Sequence, residues 1–269
     1  MLLFPNAKIN FGLYVVAQRN DGYHNIESIL WPVPWKDVLE VVPAQDRKFQ
    51  FIQTGIPLQV NEESNLVVKV WNYMQVKFSL SPVHIHLHKN IPPGAGLGGG
   101  SADAAFTIKA LSTLFRLDLS VKRMQRLASK FGSDCPFFID GKPHFVAGTG
   151  TLLAQTKLDL SGYHIGIIKP GISISSAKAY QSVDVKPSPA HWENVVSSSD
   201  QWKSRIVNQF EEHLVEEYPG LMKLKEKLYS LNAIYASLTG SGSAIYGLFE
   251  EAPHMSEWFP GMHTWQGQL

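Results

Sequence analysis

The chain has 269 residues, 44% of them hydrophobic and 17% charged, enough to bury a large core in one big domain or two smaller ones packed together. A net charge of +1 gives no electrostatic case for nucleic acid or an anionic membrane as partner. The single cysteine, Cys135, excludes an internal disulfide framework. No uncharged apolar run reaches membrane-spanning length and no signal-like stretch follows Met1, so a soluble cytoplasmic protein is expected.

Residues 4 to 16 read as extended chain and strand, ending in Leu13-Tyr14-Val15-Val16. Lys8 and Asn10 stand two apart and so share one face of it. Arg19-Asn20-Asp21-Gly22 is a turn signal, with Tyr23-His24 behind it. Strands broken by Pro32 and Pro34 are expected between Ile29 and Val42, another around Phe49, Phe51 and Ile52, and a loop from Thr54 to Val60. Leu66, Val67, Val70, Met74 and Phe78 recur at helical spacing. Val83 to Leu87 alternates like a strand and puts His84, His86 and His88 on one side. That side is either a polar sheet face or the start of a metal site, for which no nearby cysteine or carboxylate completes a ligand set.

The central stretch is Pro92-Pro93-Gly94-Ala95-Gly96-Leu97-Gly98-Gly99-Gly100-Ser101-Ala102-Asp103-Ala104-Ala105. Its glycines open backbone angles closed to other residues and leave no side chains to block an incoming molecule. Downstream, Ala104, Ala105, Ile108, Leu111, Leu114 and Phe115 fall on one helical face, with Ser101 as the expected N-cap. Strand, glycine loop and helix N-terminus together present unpaired amides and a positive dipole end, and a phosphate is the expected guest. A flexible surface loop is the alternative, but a linker need not run straight into a capped amphipathic helix. No Gly-Lys-Ser/Thr closes the loop as in a Walker A motif, and no Gly-x-Gly-x-x-Gly continues into a dinucleotide-binding βαβ unit.

A second helix is expected from Val121 to Lys130, with Gly132 just past its end. Gly132-Ser133-Asp134-Cys135-Pro136-Phe137-Phe138 then places an acid in a tight turn. Residues 162 to 168 read as a strand turned by Pro170-Gly171, and 181 to 203, rich in Ser and Pro, as a mobile excursion. Ile206 to Leu231 reads as helix broken at Pro219-Gly220. A second glycine turn, Ser237-Leu238-Thr239-Gly240-Ser241-Gly242-Ser243, leads into the apolar run 244 to 249. The pattern is that of an α+β chain. Phosphoryl transfer needs a phosphate cradle, positive charge on the transferring group and a group to orient the nucleophile. The loop supplies the cradle. Lys8 is a candidate cation or else a solvated lysine, and Asp134 a candidate base or else a turn former.

The run Pro-x-Gly-x-Gly-Leu-Gly-Gly-Gly-Ser-x-x-Ala-Ala resembles the ATP loop of the GHMP kinases. Pro5-x-Ala7-Lys8-Ile9-Asn10 is similar to that family's first motif and Gly240-Ser241-Gly242-Ser243-Ala244 to its third. Arg19-x-Asp21-Gly22-Tyr23-His24, the turn at 132 to 138 and Pro170-Gly171-Ile172-Ser173 resemble the branch that phosphorylates a cytidine-bearing alcohol. The resemblance implies a two-lobed α+β fold, with an N-terminal lobe over 1–150 and a C-terminal lobe over 151–269. It makes Asp134 the group that takes or orients the hydroxyl proton, and Lys8 the charge that polarises the centre and holds Asp134 ionised. ATP would lie along residues 92 to 102, with Asn65, Leu66 and Lys89 on the adenine side. Asn10, Tyr23, His24 and Tyr180 would meet the cytidyl alcohol, His24 at the base edge and the tyrosines as stacking faces or else as ordinary half-buried aromatics. Cys135 reads as a small buried filler. Relatives in the wider family use a Glu for magnesium. No matching Glu occurs here, so Mg2+ would arrive on ATP with Ser101 as the one protein contact. A second copy of the chain is one further option as partner. Another small-molecule GHMP kinase, such as homoserine kinase, and a non-catalytic sensor of ATP or a metabolite are the competing functions. Asp21-Gly22-Tyr23-His24 speaks against the first, and the presence of both Lys8 and Asp134 against the second.

Overall fold

In a computed structural model the described residues are 1–58, 60–189, 192 and 198–269. The elements in chain order are β1 (Leu2–Leu3), β2 (Asn6–Gln18), β3 (His24–Lys36), β4 (Val38–Pro43), β5 (Gln50–Gly55), α1 (Leu66–Phe78), β6 (Val83–Lys89), α2 (Gly99–Leu114), α3 (Val121–Ala128) and α4 (Phe137–Asp140). There follow β7 (His144–Ala147), β8 (Leu152–Gln155), β9 (His164–Lys169), α5 (Ser176–Ser182), α6 (Ser199–Arg205), α7 (Phe210–Glu217), α8 (Pro219–Ser230), β10 (Tyr235–Leu238), β11 (Ile245–Phe249), α9 (Met255–Trp258) and β12 (His263–Gln268).

Two compact units share the chain. The first holds Met1–Ala7, Trp35–Pro93 and Gly98–Lys142, and the second holds Lys8–Pro34, Gly94–Leu97 and Pro143–Leu269. The single boundary expected near residue 150 gives way to this interleaved division, because β2 and β3 form one sheet with β7 and β8.

In the first unit the sheet order is β1-β4-β6-β5, with β5 parallel to β6 and the other pairs antiparallel. Val83, Ile85 and Leu87 of β6 are buried, as the alternation predicts. On the other face His86 and His88 share the Thr54 hydroxyl at 2.8 and 2.9 Å, and His84 meets Asp46 at 3.1 Å. Asn65 caps α1 by accepting from the Val67 amide at 2.9 Å, and α1 buries Val67, Val70, Trp71 and Met74. Helix α3 starts at its Ser120 cap but stops at Ala128, short of Lys130; single turns carry the chain from there to Gly132.

In the second unit the sheets are β2-β3-β7-β8 and β10-β11-β9-β12. β3 runs unbroken through Pro32 and Pro34. Both fall beyond Leu30, the last residue paired with β7, so no rung of that ladder loses a donor. A core of Leu13, Val15, Ile168, Phe210, Leu214, Leu238 and Ile245 joins β2, β9, β10 and β11 to α7. The helical stretch after 206 is α7 and α8, parted at Tyr218 with Pro219 opening α8. Part of the excursion expected over 181–203 lies outside the described residues. Within it Trp192 is buried with its indole N–H on Glu27, and α6 begins at Ser199.

Candidate active site

The middle of the glycine loop, Gly94–Leu97, belongs to the second unit. Gly94, Gly96 and Gly98 have φ of 64°, 75° and 73°, alternating with ordinary residues, which curls successive amides toward one side. Three consecutive carbonyls are taken: Ala95 O accepts from Ala244 N at 3.2 Å, Gly96 O from the Thr239 hydroxyl at 3.1 Å, and Leu97 O from Lys8 N at 2.9 Å. In a trans peptide the N–H points opposite to the C=O, so the amides of Gly96, Leu97 and Gly98 are turned away from those partners. A Cβ at Gly96 would overlap the Thr239 carbonyl oxygen; only glycine fits there.

The loop ends lie in the first unit. Helix α2 begins at Gly99 with Gly98 in the N-cap position and no side-chain cap. Ser101 is therefore in the first turn and not the cap, since the left-handed turn at Gly98 starts the helix three residues early. Ala102 N bonds Gly98 O at 2.9 Å, which leaves the amides of Gly99, Gly100 and Ser101 without intrahelical acceptors. Two of those three residues lack a side chain, so the arrangement fits a phosphate.

Beneath this turn sits a buried ion cluster. Lys89 Nζ pairs with Asp37 and, at 2.7 Å, with Asp103, and it lies 3.3 Å from where a Gly99 Cβ would stand. Asp37 Oδ1 also accepts from the amides of Asn90 and Ile91 at 2.6 and 2.8 Å. Burial alone would lower the Lys89 pKa, but Asp103 and Asp37 outweigh it and hold the ammonium above its ordinary value. The Lys89 side chain, expected on the adenine side, is thus committed to two carboxylates. Asn65 is committed to its cap, while Leu66, first in α1, comes within 3.9 Å of a Cβ placed on Gly100.

Lys8 is buried at 3% exposure, which excludes the solvated-lysine alternative. Its Nζ donates to Asn10 Oδ1, and Asn10 Nδ2 donates to Ser28 Oγ at 2.9 Å, so Ser28 fixes the amide that steers Lys8. The Asn10 amide donates to Thr239 Oγ1 at 3.1 Å. Asp134 is partly buried in the turn before α4, where its carbonyl accepts from Phe137 N at 3.2 Å. Cys135 is fully buried, with its thiol pushed up to about 12 by burial; it is inert filler beside Ser101. His24 and Tyr180 stack on one another with centroids 5.2 Å apart and planes 20° off parallel, and Tyr180 sets its ring against Phe210 edge-on. Tyr23, at 68% exposure, faces solvent.

Three residues of this framework escaped the sequence reading: Thr239, Asp37 and Asp103. The signal for Asp103 was an acid flanked by Ala102, Ala104 and Ala105 in an apolar helix; Asp37 and Thr239 carried none beyond their nearness to motifs.

The family profiles for the GHMP kinases N terminal domain and the GHMP kinases C terminal match residues 65–142 and 193–257. A 4-diphosphocytidyl-2-C-methyl-D-erythritol kinase from Parabacteroides distasonis is 44% identical, over 100% of both chains. The chain belongs to the 4-diphosphocytidyl-2-C-methyl-D-erythritol kinase family of GHMP kinases. A crystal structure titled 4-(cytidine 5'-diphospho)-2C-methyl-D-erythritol kinase superposes with a TM-score of 0.82 at 26% identity, over 99% of this chain and 98% of that one. Homoserine kinase from Cytophaga hutchinsonii shares the fold, with a TM-score of 0.66 at 14% identity over 98% and 94% of the chains. The two-lobed α+β expectation holds, and a GHMP kinase fold is a nucleotide-binding one. Among the described residues no helix is long and apolar enough to cross a membrane.

Proposed function

We infer that this chain transfers the γ-phosphate of ATP to the 2-hydroxyl of 4-diphosphocytidyl-2-C-methyl-D-erythritol, a step of the non-mevalonate route to isoprenoids, in the cytoplasm. Full-length identity of 44% to a kinase named for that alcohol carries the reading. The phosphates lie on the amides of the loop at 92 to 102 and the first turn of α2, where no side chain from Gly99 or Gly100 intervenes. The Ser101 hydroxyl is the protein group that would hold an Mg2+ arriving with ATP, which would supply positive charge to the phosphates. Asp134 takes or orients the hydroxyl proton. Lys8, held by Asn10 and Ser28, supplies positive charge to the transferring group.

His24 and Tyr180 separate, or turn one face outward, to receive the cytosine, with Tyr23 closing from solvent. Stacking holds any base, and discrimination comes from hydrogen bonds at the pyrimidine edge, for which His24 is the side chain in place. Competing alcohols test the reading. The cytidyl compound should be phosphorylated, while methylerythritol phosphate lacking cytidine, homoserine and mevalonate stay near background. Faster turnover of any of these three sinks the substrate. Asp134→Asn should cut kcat by ~10²–10⁴-fold with ATP affinity nearly intact, and a loss under tenfold returns Asp134 to a turn former.

A further inference from the structure

Asn208 lies in the connection between α6 and α7, is 1% exposed, and has both polar atoms of its side chain engaged. The Phe210 amide donates to Oδ1 at 3.1 Å, which fixes the way the carboxamide faces. Nδ2 donates to Leu238 O and to Gly240 O, both at 2.9 Å, and these two carbonyls flank Thr239. The backbone around Asn208 is held as well. Leu13 N donates to Val207 O and Gln209 N to Leu13 O, each at 2.9 Å, so residues 207–209 pair with β2, the strand carrying Lys8 and Asn10. Glu211 Oε1 accepts from the Leu238 amide at 2.7 Å. The start of α7 therefore grips Leu238 by its N–H and its C=O, and Asn208 carries that grip onward to Gly240.

The turn so gripped touches the site on two sides. Thr239 Oγ1 accepts from Asn10 N and donates to Gly96 O, both at 3.1 Å. A Cβ placed on Gly240 would stand 3.5 Å from Lys8 Nζ and 3.3 Å from Gly96 Cα, so this backbone is the wall against which the ammonium and the loop middle lie. Gly240 and Gly242, at φ of 56° and 89°, could take other angles at little cost, so hydrogen bonds from outside the turn must select this geometry. We propose that Asn208 is a positioning residue for phosphoryl transfer: its carboxamide sets the Thr239–Gly240 turn, and through it the place of Lys8 and of the loop middle. The proposal rests on the reading of Lys8 as the charge on the transferring group. Phosphoryl transfer depends on positioning, and a small displacement at this wall is felt in kcat more than in binding.

Asn208→Asp keeps the side chain's shape and the acceptor for Phe210 N, but sets a carboxylate oxygen against two carbonyls where two N–H donors stood. Its kcat should fall roughly 10–100-fold, while the KM for ATP and for the cytidyl alcohol changes less than about threefold, at a temperature where circular dichroism shows the protein folded. Combined with Thr239→Val, the loss should exceed that of the worse single variant by no more than about threefold, because both act through one turn. Losses that multiply in the pair, an unchanged kcat in Asn208→Asp, or a loss confined to KM overturns the proposal alone. If Asn208→Asp fails to fold, Asn208→Gln takes its place: the longer side chain keeps the donors but displaces the turn, with the same expectations. Failure of both to fold makes Asn208 a residue of the fold and overturns the proposal. A near-normal rate in Lys8→Ala overturns both the proposal and the reading of Lys8 beneath it.

Discussion

The two parts of the glycine loop are held by opposite means. Its middle, Gly94–Leu97, hangs from neutral bonds: three carbonyls in a row meet Ala244 N, the Thr239 hydroxyl and Lys8 N. Its ends, at Asn90–Ile91 and Gly99–Asp103, are braced from below by two carboxylates sharing one ammonium. Neutral bonds of this kind fix backbone direction and cost little to keep. A buried ion cluster is rigid too, but its strength depends on the balance of charge among its members. The middle should therefore respond to the loss of a single hydroxyl through geometry, and the ends to charge and pH through stability.

The largest effect expected is at Lys89. Lys89→Met strands two buried carboxylates and should cost about 3–5 kcal/mol, read as a fall in the urea midpoint at unchanged slope. Adding Asp37→Asn and Asp103→Asn should recover most of that loss. A single-variant loss below about 1 kcal/mol, within the range of surface ion pairs, would mean the cluster does not brace the loop.

Thr239 comes next. Thr239→Val keeps the shape and removes the hydroxyl, leaving the Asn10 amide and the Gly96 carbonyl without that partner. Displacing the loop relative to Lys8 should lower kcat roughly 10–100-fold, since small misplacements are costly in transfer reactions, and change the KM for ATP far less. Thr239→Ser, which retains the hydroxyl, should restore kcat. Equal losses in both variants would assign the effect to the methyl group's packing.

The same contrast explains what could be read from the sequence. Backbone geometry at the loop middle demands glycine at particular places, and a demand of that kind is visible as a pattern; hence the loop, the strand carrying Lys8 and Asn10, and the turn at Asp134 were legible. The start of α2 was misplaced by three residues because a serine reads as a cap, while a left-handed glycine can begin a helix without one. The brace was invisible for another reason. Asp37, Lys89 and Asp103 lie far apart along the chain, nothing in the sequence pairs them with one another, and only the folded sheet and helix bring them together. Interleaving of the two units was hidden likewise, since it depends on β3 pairing with β7, from beyond residue 142, and carrying β2 into the same sheet.

The third effect is a slope with pH. The Asp103 pKa is raised in the folded protein from 3.8 to about 7, so between these values the folded state binds more protons than the unfolded one. Stability from this group is then full below about pH 4 and is lost as pH rises toward 7, the reverse of an ordinary ion-paired carboxylate. The slope from one group is at most about 1.4 kcal/mol per pH unit. Asp103→Asn should flatten the denaturation midpoint against pH in that window, and an unchanged slope would show that Asp103 stays ionised beside Lys89.

The smallest effect separates binding from stability at the exit of the loop. At Gly98 any substitution is ambiguous, because φ of 73° strains every side chain and a weaker ligand could reflect only a distorted turn. Gly100 has no such strain: a Cβ there meets nothing closer than Leu66 Cδ1 at 3.9 Å, an ordinary contact. Gly100→Ala should therefore raise stability by about 0.4–1 kcal/mol, through the unfolded chain's lost freedom and better helix propensity. The added methyl nevertheless stands beside amides proposed to receive phosphate, so the KM for ATP should rise a few-fold while the melting temperature goes up. Gly100→Glu, which adds a negative charge at the same place, should raise it further. A more stable protein that binds its nucleotide less well cannot be explained by damage to the fold. If both variants keep the wild-type KM, the phosphates do not pass the first turn of α2.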